Sequence, residues 1–134
     1  MASSTFAPRI PALQVAEEKY SAQLVPDANG IRVVIRGTIS TVNPAVVLNP
    51  FVDAVHAHAI ETGAKEVRVD LTSLEFCNSS GFKSFIHWIE RIQLAPAAKR
   101  YQLRFVSTNE RRWQRASLLA LSCYGVNIVV VEGA

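Results

Sequence analysis

The residues best suited to chemistry are Asn78-Ser79-Ser80-Gly81, which lie between a short apolar run and an amphipathic segment. Asn and Ser are favoured where a helix begins, because their side-chain oxygens accept hydrogen bonds from first-turn amides. Those amides and the helix dipole also favour an anion such as a phosphoryl group. The turn therefore predicts either a phosphorylation site at Ser79 or a set of residues that only cap a helix.

The helix that follows carries a polar side and an apolar side. Its polar residues predict a partner-binding face, although a merely solvated face would have the same composition; they are Lys83, Ser84, His87 and Arg91. The apolar residues recur at helical spacing and predict a buried stripe; they are Phe82, Phe85, Ile86, Ile89 and Ile92. Trp88 falls at the edge of that stripe, where it completes the core or faces a partner.

An enzyme is the competing class of function. Ser79 would be the nucleophile, with His56, His58 or His87 as the base and Asp70 as the orienting group. The turn is not the Gly-x-Ser-x-Gly elbow, however, and the sequence has no phosphate-cradling glycine loop. Asp70 is equally suited to accepting hydrogen bonds from the turn that follows it. The sequence therefore favours a protein that is not an enzyme.

Metal and cofactor sites are not expected. His56 and His58 are two residues apart and point to different faces of a helix, which favours surface positions over shared metal ligation. Cys77 and Cys123 form neither a CxxC pair nor a disulfide framework, so both are predicted to be buried thiols in a reducing compartment. No segment has the pattern of a signal peptide or a membrane span, which predicts a cytoplasmic protein without membrane insertion.

Length and composition indicate one globular domain. The chain has 134 residues, of which 49% are hydrophobic and 19% are charged. Its net charge of +3 is small, and its arginines are scattered apart from clusters at Lys99-Arg100 and Arg111-Arg112-Arg115. Nucleic-acid binders concentrate positive charge on one face and add stacking aromatics, so nucleic-acid binding is not expected.

Periodicity predicts a flexible arm over residues 1–18 and a domain over residues 19–134. Strands are predicted at residues 20–25 and 31–39, joined by a turn that ends in Asn29-Gly30, which is typical of a hairpin. Asn49 and Pro50 predict the cap and first position of a helix that ends at Gly63.

The second half alternates strands and helices. Strands are predicted at residues 66–71, 101–106 and 126–131, with helices beginning after Asn78 and Asn109. The core face of the last helix is predicted to contain Trp113, Ala116, Leu119, Ala120 and Cys123. This order implies an α/β fold: a mixed, mostly parallel sheet with an N-terminal antiparallel hairpin, right-handed crossovers, and helices packed against the sheet.

One stretch resembles a known family. Val69-Asp70-Leu71, then Leu74-Glu75-Phe76-Cys77, then Asn78-Ser79-Ser80-Gly81-Phe82, is similar to the central motif of the STAS domain (sulphate transporter and anti-sigma factor antagonist). The element order resembles the same domain over residues 20–132. The resemblance is to the bacterial anti-sigma factor antagonists, which act in signal transduction and transcription regulation.

The resemblance implies a switch at Ser79. In these antagonists the first serine of the turn is phosphorylated by a partner that is both serine kinase and anti-sigma factor; phosphate breaks the contact and a phosphatase restores it. The implied partner-binding set is Asn78, Ser79, Ser80, Gly81, Lys83, Ser84 and His87. Asn78 stands where the family usually has Asp, so the alternative is a non-phosphorylated adaptor subunit in a stress-signalling or transport complex. An exposed strand edge leaves open whether the domain forms a homodimer.

Overall fold

The computed structural model describes residues 13–27 and 30–133. The elements of these residues are, in chain order, β1 (Gln14–Ala16), β2 (Tyr20–Asp27), β3 (Gly30–Ile39), α1 (Ala45–Thr62), β4 (Glu66–Asp70), β5 (Leu74–Cys77), α2 (Ser79–Leu94), a 3-10 turn (Ala97–Lys99), β6 (Gln102–Ser107), α3 (Arg112–Tyr124) and β7 (Val129–Gly133).

The described strands form one mixed sheet in the order β1-β2-β3-β4-β6-β7, and β5 pairs with β3 beyond the end of β4. The pairings β1·β2 and β2·β3 are antiparallel, and the later pairings are parallel. Asp27 pairs with Gly30, which confirms the hairpin, although Ala28 and Asn29 of its turn lie outside the described residues. The predicted fold class is confirmed.

All three crossover helices of the described chain pack on one face of the sheet. From β3 to β4, from β4 to β6 and from β6 to β7, each strand lies directly beside the one before it. Each of these connections moves toward the same edge of the sheet. Because such crossovers are right-handed, they put their helices on the same side. The strand residues that face this side are almost fully buried in one core; they include Val33, Val67, Val69, Leu103 and Phe105.

The other face of the sheet is polar. Charged side chains pair across its strands; the pairs are Arg32–Asp70 at 2.8 Å, Arg104–Glu66 at 2.9 Å, and Arg68 and Arg104 with Glu132 at 3.5 Å. Partly exposed ion pairs of this kind contribute little to stability, so their main effect is to keep the face compatible with water. Within the described part of the chain, no helix is long and apolar enough to cross a membrane.

Helix α1 begins at Ala45, earlier than the start at Asn49-Pro50 that the sequence predicts. Pro44 is its N-cap residue, and the Pro44 carbonyl accepts a hydrogen bond of 2.8 Å from the amide of Leu48. Pro50 therefore lies inside the helix. The predicted start was wrong because burial of Leu48 holds the earlier turn in the helix, although Pro50 cannot donate to the Val46 carbonyl.

The predicted arm is too long at its C-terminal end. Gln14–Ala16 form β1, in which Val15 is buried and pairs with Ala22 of β2. Edge pairing and burial of one apolar side chain hold this short segment on the domain. The first twelve residues of the predicted arm lie outside the described residues.

Helix α3 also differs from its prediction. Its N-cap residue is Arg111, whose side chain makes no capping hydrogen bond, so Asn109 is not the cap. Its buried residues are Gln114, Leu118 and Leu121. Of the residues predicted to face the core, Trp113 is partly buried and packs against it. The others are exposed; they are Ala116, Leu119, Ala120 and Cys123. The prediction that Cys123 is buried was therefore wrong, whereas Cys77 is buried as expected.

Candidate functional site

The start of α2 is positioned by strand β5, a segment that the sequence predicts as a turn. Strand β3 is long enough to pair with two strands: its first half pairs with β4, and its end pairs with β5. The register shifts between Gly37 and Thr38, and Gly37 has φ of 93°, a conformation that favours glycine. Beyond the paired end of β5, the Asn78 amide donates to the Ile39 carbonyl at 2.9 Å. The central strand of the sheet therefore fixes where α2 begins.

Asn78 caps α2, as predicted. Its Oδ1 accepts a hydrogen bond of 2.8 Å from the Gly81 amide, and its Nδ2 donates one of 2.9 Å to the Thr41 carbonyl. The first bond satisfies a first-turn amide of the helix. The second ties the helix start to the loop between β3 and α1, and an aspartate could not make it because a carboxylate has no donor. The amide side chain therefore joins two segments.

Ser79 is the first residue of α2 and is exposed. Ser80 beside it is partly buried, and Lys83, one turn further on, is exposed. Residues four apart are neighbours on a helix surface, so Ser79 and Lys83 lie on the same side of the first turn. The structure thus brings together Asn78, Ser79, Ser80 and Lys83 of the predicted set.

Two residues of the predicted partner-binding set face inward. Ser84 is only 1% exposed, and Gly81 is buried. A Cβ atom at Gly81 would lie 2.6 Å from the Cys77 Sγ and 2.9 Å from the Ile39 Cγ2, so glycine is needed for α2 to pack on the sheet. The physical reason is the helix period, which places both residues on the same buried side as Phe85. Their assignment to a partner surface was wrong.

His87 serves another contact. Its Nε2 lies 2.7 Å from the Asp53 Oδ1 of α1, and the Arg91 Nε lies 3.5 Å from the same oxygen. These pairs connect α1 to α2. Eight residues of helix also separate His87 from Ser79, which corresponds to about 12 Å along the axis. His87 therefore lies two turns from Ser79, and its ring is engaged with α1.

Apolar side chains that sequence reasoning did not assign to the site lie next to its polar residues. Phe76 of β5 is 46% exposed, and its ring centroid is 6.4 Å from that of Trp113, which in turn is 6.0 Å from that of Phe82. Val42, next to the residue that Asn78 holds, is 95% exposed. We call Phe76, Phe82 and Trp113, whose rings lie next to one another, the apolar rim. Single exposed apolar residues are common, but neighbouring ones mark interaction surfaces.

The position of Trp113 has a specific cause. Its Nε1 donates a hydrogen bond of 2.9 Å to the Glu75 carbonyl of β5, so the indole is held across the strand that leads into the site. Phe82 also packs edge-on against Phe85, with centroids 5.5 Å apart. The rim is thus attached to the core below it. The sequence signal that would have found it is the apolar character of Leu74, Phe76 and Cys77, which favours a short strand over a turn.

Cys77 lies beneath the site but does not add a nucleophile. Burial raises the pKa of its thiol to about 12, so the thiol stays protonated at neutral pH. Its Sγ lies 3.5 Å from the Asn78 carbonyl and packs against Gly81. The role that these contacts support is structural.

The groups proposed for a catalytic triad are engaged elsewhere. His56 is buried, contrary to the surface position that the sequence favours, and its Nδ1 lies 2.8 Å from the Tyr101 hydroxyl. Burial, and then the positive charge of Arg91, lower the pKa of His56. The fully buried Trp88 donates to the same hydroxyl at 2.9 Å. Of the two positions predicted for Trp88, it therefore occupies the core and not a face toward a partner.

Asp70 binds the turn that follows it. Its Oδ1 accepts hydrogen bonds from the Thr72 amide at 2.9 Å and the Thr72 hydroxyl at 2.6 Å, while its Oδ2 pairs with Arg32. Burial alone would raise the pKa of Asp70, but these hydrogen bonds outweigh it and lower that pKa. Among the contacts of residues 13–27 and 30–133, no histidine bonds to Ser79, and no group of three or more His, Cys, Asp and Glu is arranged to hold a metal ion.

Comparison with known proteins supports the fold. No protein-family model matches the sequence, and no curated protein matches it. Among solved structures, the chain is similar to an anti-sigma factor antagonist from Mycobacterium paratuberculosis, with a TM-score of 0.60 and 18% sequence identity over 86% of this chain and 88% of that chain. A likeness at this identity shows the fold. The chain therefore has the fold of an anti-sigma factor antagonist, as its sequence resemblance implies.

Proposed function

We propose that this chain is a non-enzymatic protein-interaction module of the anti-sigma factor antagonist type. In this proposal it binds another protein through the surface that surrounds Ser79. The observation that carries the proposal is the exposure of Ser79 at the first position of α2, beside the apolar rim. The fold shared with an anti-sigma factor antagonist supports it.

The surface has the mixed character of a protein interface. Phe76 and Trp113 offer aromatic area, and aromatic residues are enriched among those that contribute most to binding energy. Ser79 and Lys83 supply polar groups at one side of these rings. A partner that covers the rim would bury apolar area and exclude water from the serine hydroxyl.

Phosphorylation of Ser79 would oppose that contact. A phosphoserine carries between one and a half and two negative charges at neutral pH. The helix N-terminus and Lys83 can accommodate this charge, so the fold tolerates it. A partner packed on the rim would instead have to desolvate the phosphate, which costs several kcal/mol for an unpaired charge. We infer a partner that is a serine kinase and anti-sigma factor, a phosphatase that reverses the modification, and an output in transcription.

Asn78 supports a second candidate, a constitutive adaptor subunit. Both ends of the Asn78 side-chain amide make hydrogen bonds, Oδ1 with the Gly81 amide and Nδ2 with the Thr41 carbonyl. Because the residue is Asn and not Asp, this position presents no carboxylate to a kinase. In an adaptor the same surface would bind its partner without a switch. Modification of Ser79 would then be absent, and the charge at position 79 would not be a control point.

The test is a pull-down from the native cell extract with wild type, Ser79→Ala and Ser79→Asp as baits. Ser73→Asp is the matched control, because Ser73 is also exposed but lies before β5 and outside the helix start. The switch predicts that wild type, Ser79→Ala and Ser73→Asp capture the same ATP-binding protein and that Ser79→Asp loses at least nine-tenths of it. Equal capture by Ser79→Asp would contradict the switch and favour the adaptor.

Homodimerisation remains a prediction. The described sheet ends at β1 on one side and at β7 on the other. A second copy that paired along β7 would extend the sheet. Sedimentation of the purified chain over a range of concentrations tests this directly.

A further inference from the structure

A second concave site lies beside the start of α3, where β6 and β7 end. The cavity has a volume of about 640 Å³ and is bordered by Ser107, the last residue of β6, and by Gly133, the last residue of β7. Cavities of about 300–1,000 Å³ hold small-molecule ligands. The cavity lies outside the carboxyl ends of these two parallel strands.

Three arginines line the cavity: Arg111, Arg112 and Arg115. None of them has an ion-pair or side-chain hydrogen-bond partner among the described residues, and no described residue that lines the cavity is acidic. The Nε atom of Arg111 is buried without any hydrogen-bond partner. A buried, unpaired guanidinium nitrogen is costly, and no described side chain stabilises Arg111 in this position.

The other arginines near cavities differ in this respect. Arg100, which lines a cavity of about 330 Å³ at the other end of the sheet, donates to the Ala95 and Gln93 carbonyls at 3.0 and 2.9 Å. Arg32, in a shallow polar cavity on the open sheet face, pairs with Asp70. Unpaired arginines thus distinguish the cavity at α3 from these two.

The surroundings of the arginines also suit an anion. No side chain caps α3, and its first turn has no acidic residue, so the positive end of the helix dipole is uncompensated. Thr108 and Asn109 add a hydroxyl and a side-chain amide to the lining. Leu119 gives one wall an apolar surface, which a purely ionic site would not need.

We propose that this cavity binds a small phosphorylated molecule, with its phosphate oxygens on the three arginines and its organic part against Leu119. Guanidinium groups bind phosphate through two parallel hydrogen bonds, which makes arginine the preferred residue for such groups. The site does not depend on the proposed partner surface and can be tested without a partner. The proposed function requires only a protein partner, so a small phosphorylated ligand would be an additional binding activity of this chain.

The test uses inorganic pyrophosphate as the probe, in calorimetric titration at about 150 mM salt, where nonspecific attraction is screened. The full chain is expected to bind one pyrophosphate saturably, at least tenfold more tightly than sulfate. The double variant Arg111→Gln, Arg115→Gln should weaken pyrophosphate at least tenfold. Arg36→Gln is the matched control, because Arg36 is exposed, lacks an ion pair and lies far from α3 in sequence. This variant should bind pyrophosphate with the same affinity as wild type.

Three results would overturn the proposal: no saturable binding, equal affinity for sulfate, or equal weakening in the Arg36→Gln control. Amide chemical shifts of the wild-type chain provide a check that does not depend on a variant's folding. Pyrophosphate should shift the resonances of residues 107–115 and 131–133. Shifts centred instead on the cavity that Lys65 and Arg100 line would place the anion elsewhere and contradict the assignment.

Discussion

At the residue scale, Asn78 shows how one side chain can define a site. It joins the loop at Thr41 to the amide of Gly81, with hydrogen bonds of 2.9 and 2.8 Å. An aspartate, which the sequence resemblance leads one to expect here, would keep the second bond and lose the first. The choice of Asn therefore has a structural explanation that does not depend on phosphorylation.

Asn78→Asp is expected to lower the free energy of unfolding by about 1 kcal/mol at neutral pH. It removes a hydrogen bond and places a carboxylate against the Thr41 carbonyl, although attraction to the helix dipole offsets part of the loss. Urea unfolding measures the change. Asn43→Asp is the control, because Asn43 is exposed in the same loop; it should change stability by less than half as much. A variant at least as stable as wild type would contradict the role given to the Nδ2 donor.

At the element scale, the start of α2 could be predicted because its signals are local. Asn78, the serines after it and the apolar period of the helix all agree, and the observed helix begins at Ser79. Helix α1 could not be placed in this way because Pro50 is a strong local signal that the tertiary structure overrides. The carbonyl that Pro50 leaves unpaired belongs to Val46, which is 69% exposed, so water can solvate it.

The face of α3 was mispredicted for a different reason. Gln114 is fully buried: its Nε2 donates to the Leu71 and Leu74 carbonyls at 2.8 and 2.9 Å, and its Oε1 accepts from the Thr108 amide at 3.1 Å. An apolar pattern cannot show that a polar residue is buried, because the partners are backbone groups of other segments. Gln114 also holds Thr108, which is part of the lining of the arginine cavity.

Gln114→Met is expected to lower the free energy of unfolding by about 3 kcal/mol, because it removes all three hydrogen bonds of a fully buried side chain, and the Leu71 carbonyl keeps only its bond from the Leu74 amide. Thermal or urea unfolding measures the loss. Gln102→Met is the matched control, because Gln102 is exposed on β6; its effect should be within about 0.5 kcal/mol of zero. Similar stability of the two variants would show that the three hydrogen bonds contribute little.

At the scale of the whole molecule, the sheet separates an apolar face under the helices from a charged face open to water. Apolar and polar residues alternate in the strands, for example over residues 66–70, which fits this division into two faces. The pairing across strands could not be predicted, because it requires the order β3-β4-β6-β7 that sequence alone does not give. Asp70 is the residue of the charged face whose pKa is lowered.

Asp70→Asn should reduce stability at pH 7 by about 1 kcal/mol, since it removes the charge that pairs with Arg32 at 2.8 Å. The folded-state pKa of Asp70 lies below its unfolded value of about 3.9, so its contribution is complete above that pH and is lost as pH falls through the lowered pKa. Urea unfolding at pH 7 and about pH 2.5 should show the two proteins converging. The control is Glu110→Gln, which removes an exposed carboxylate without an ion pair and should have the stability of wild type at both pH values. If Asp70→Asn stays less stable than wild type at about pH 2.5, ionisation of Asp70 is not the cause of the difference.

The division of β3 between two partners has a consequence for synthesis. The last residues of β3 and the residues of β5 pair across the whole of α1 and β4, for example Ile39 with Cys77. A nascent chain that ends before β5 can form the hairpin and α1, but it has no surface around Ser79. The proposed partner surface also includes Trp113 of α3, so we expect a partner to bind only after α3 has left the ribosome. A release series of truncated nascent chains should show capture beginning at that length in a single step.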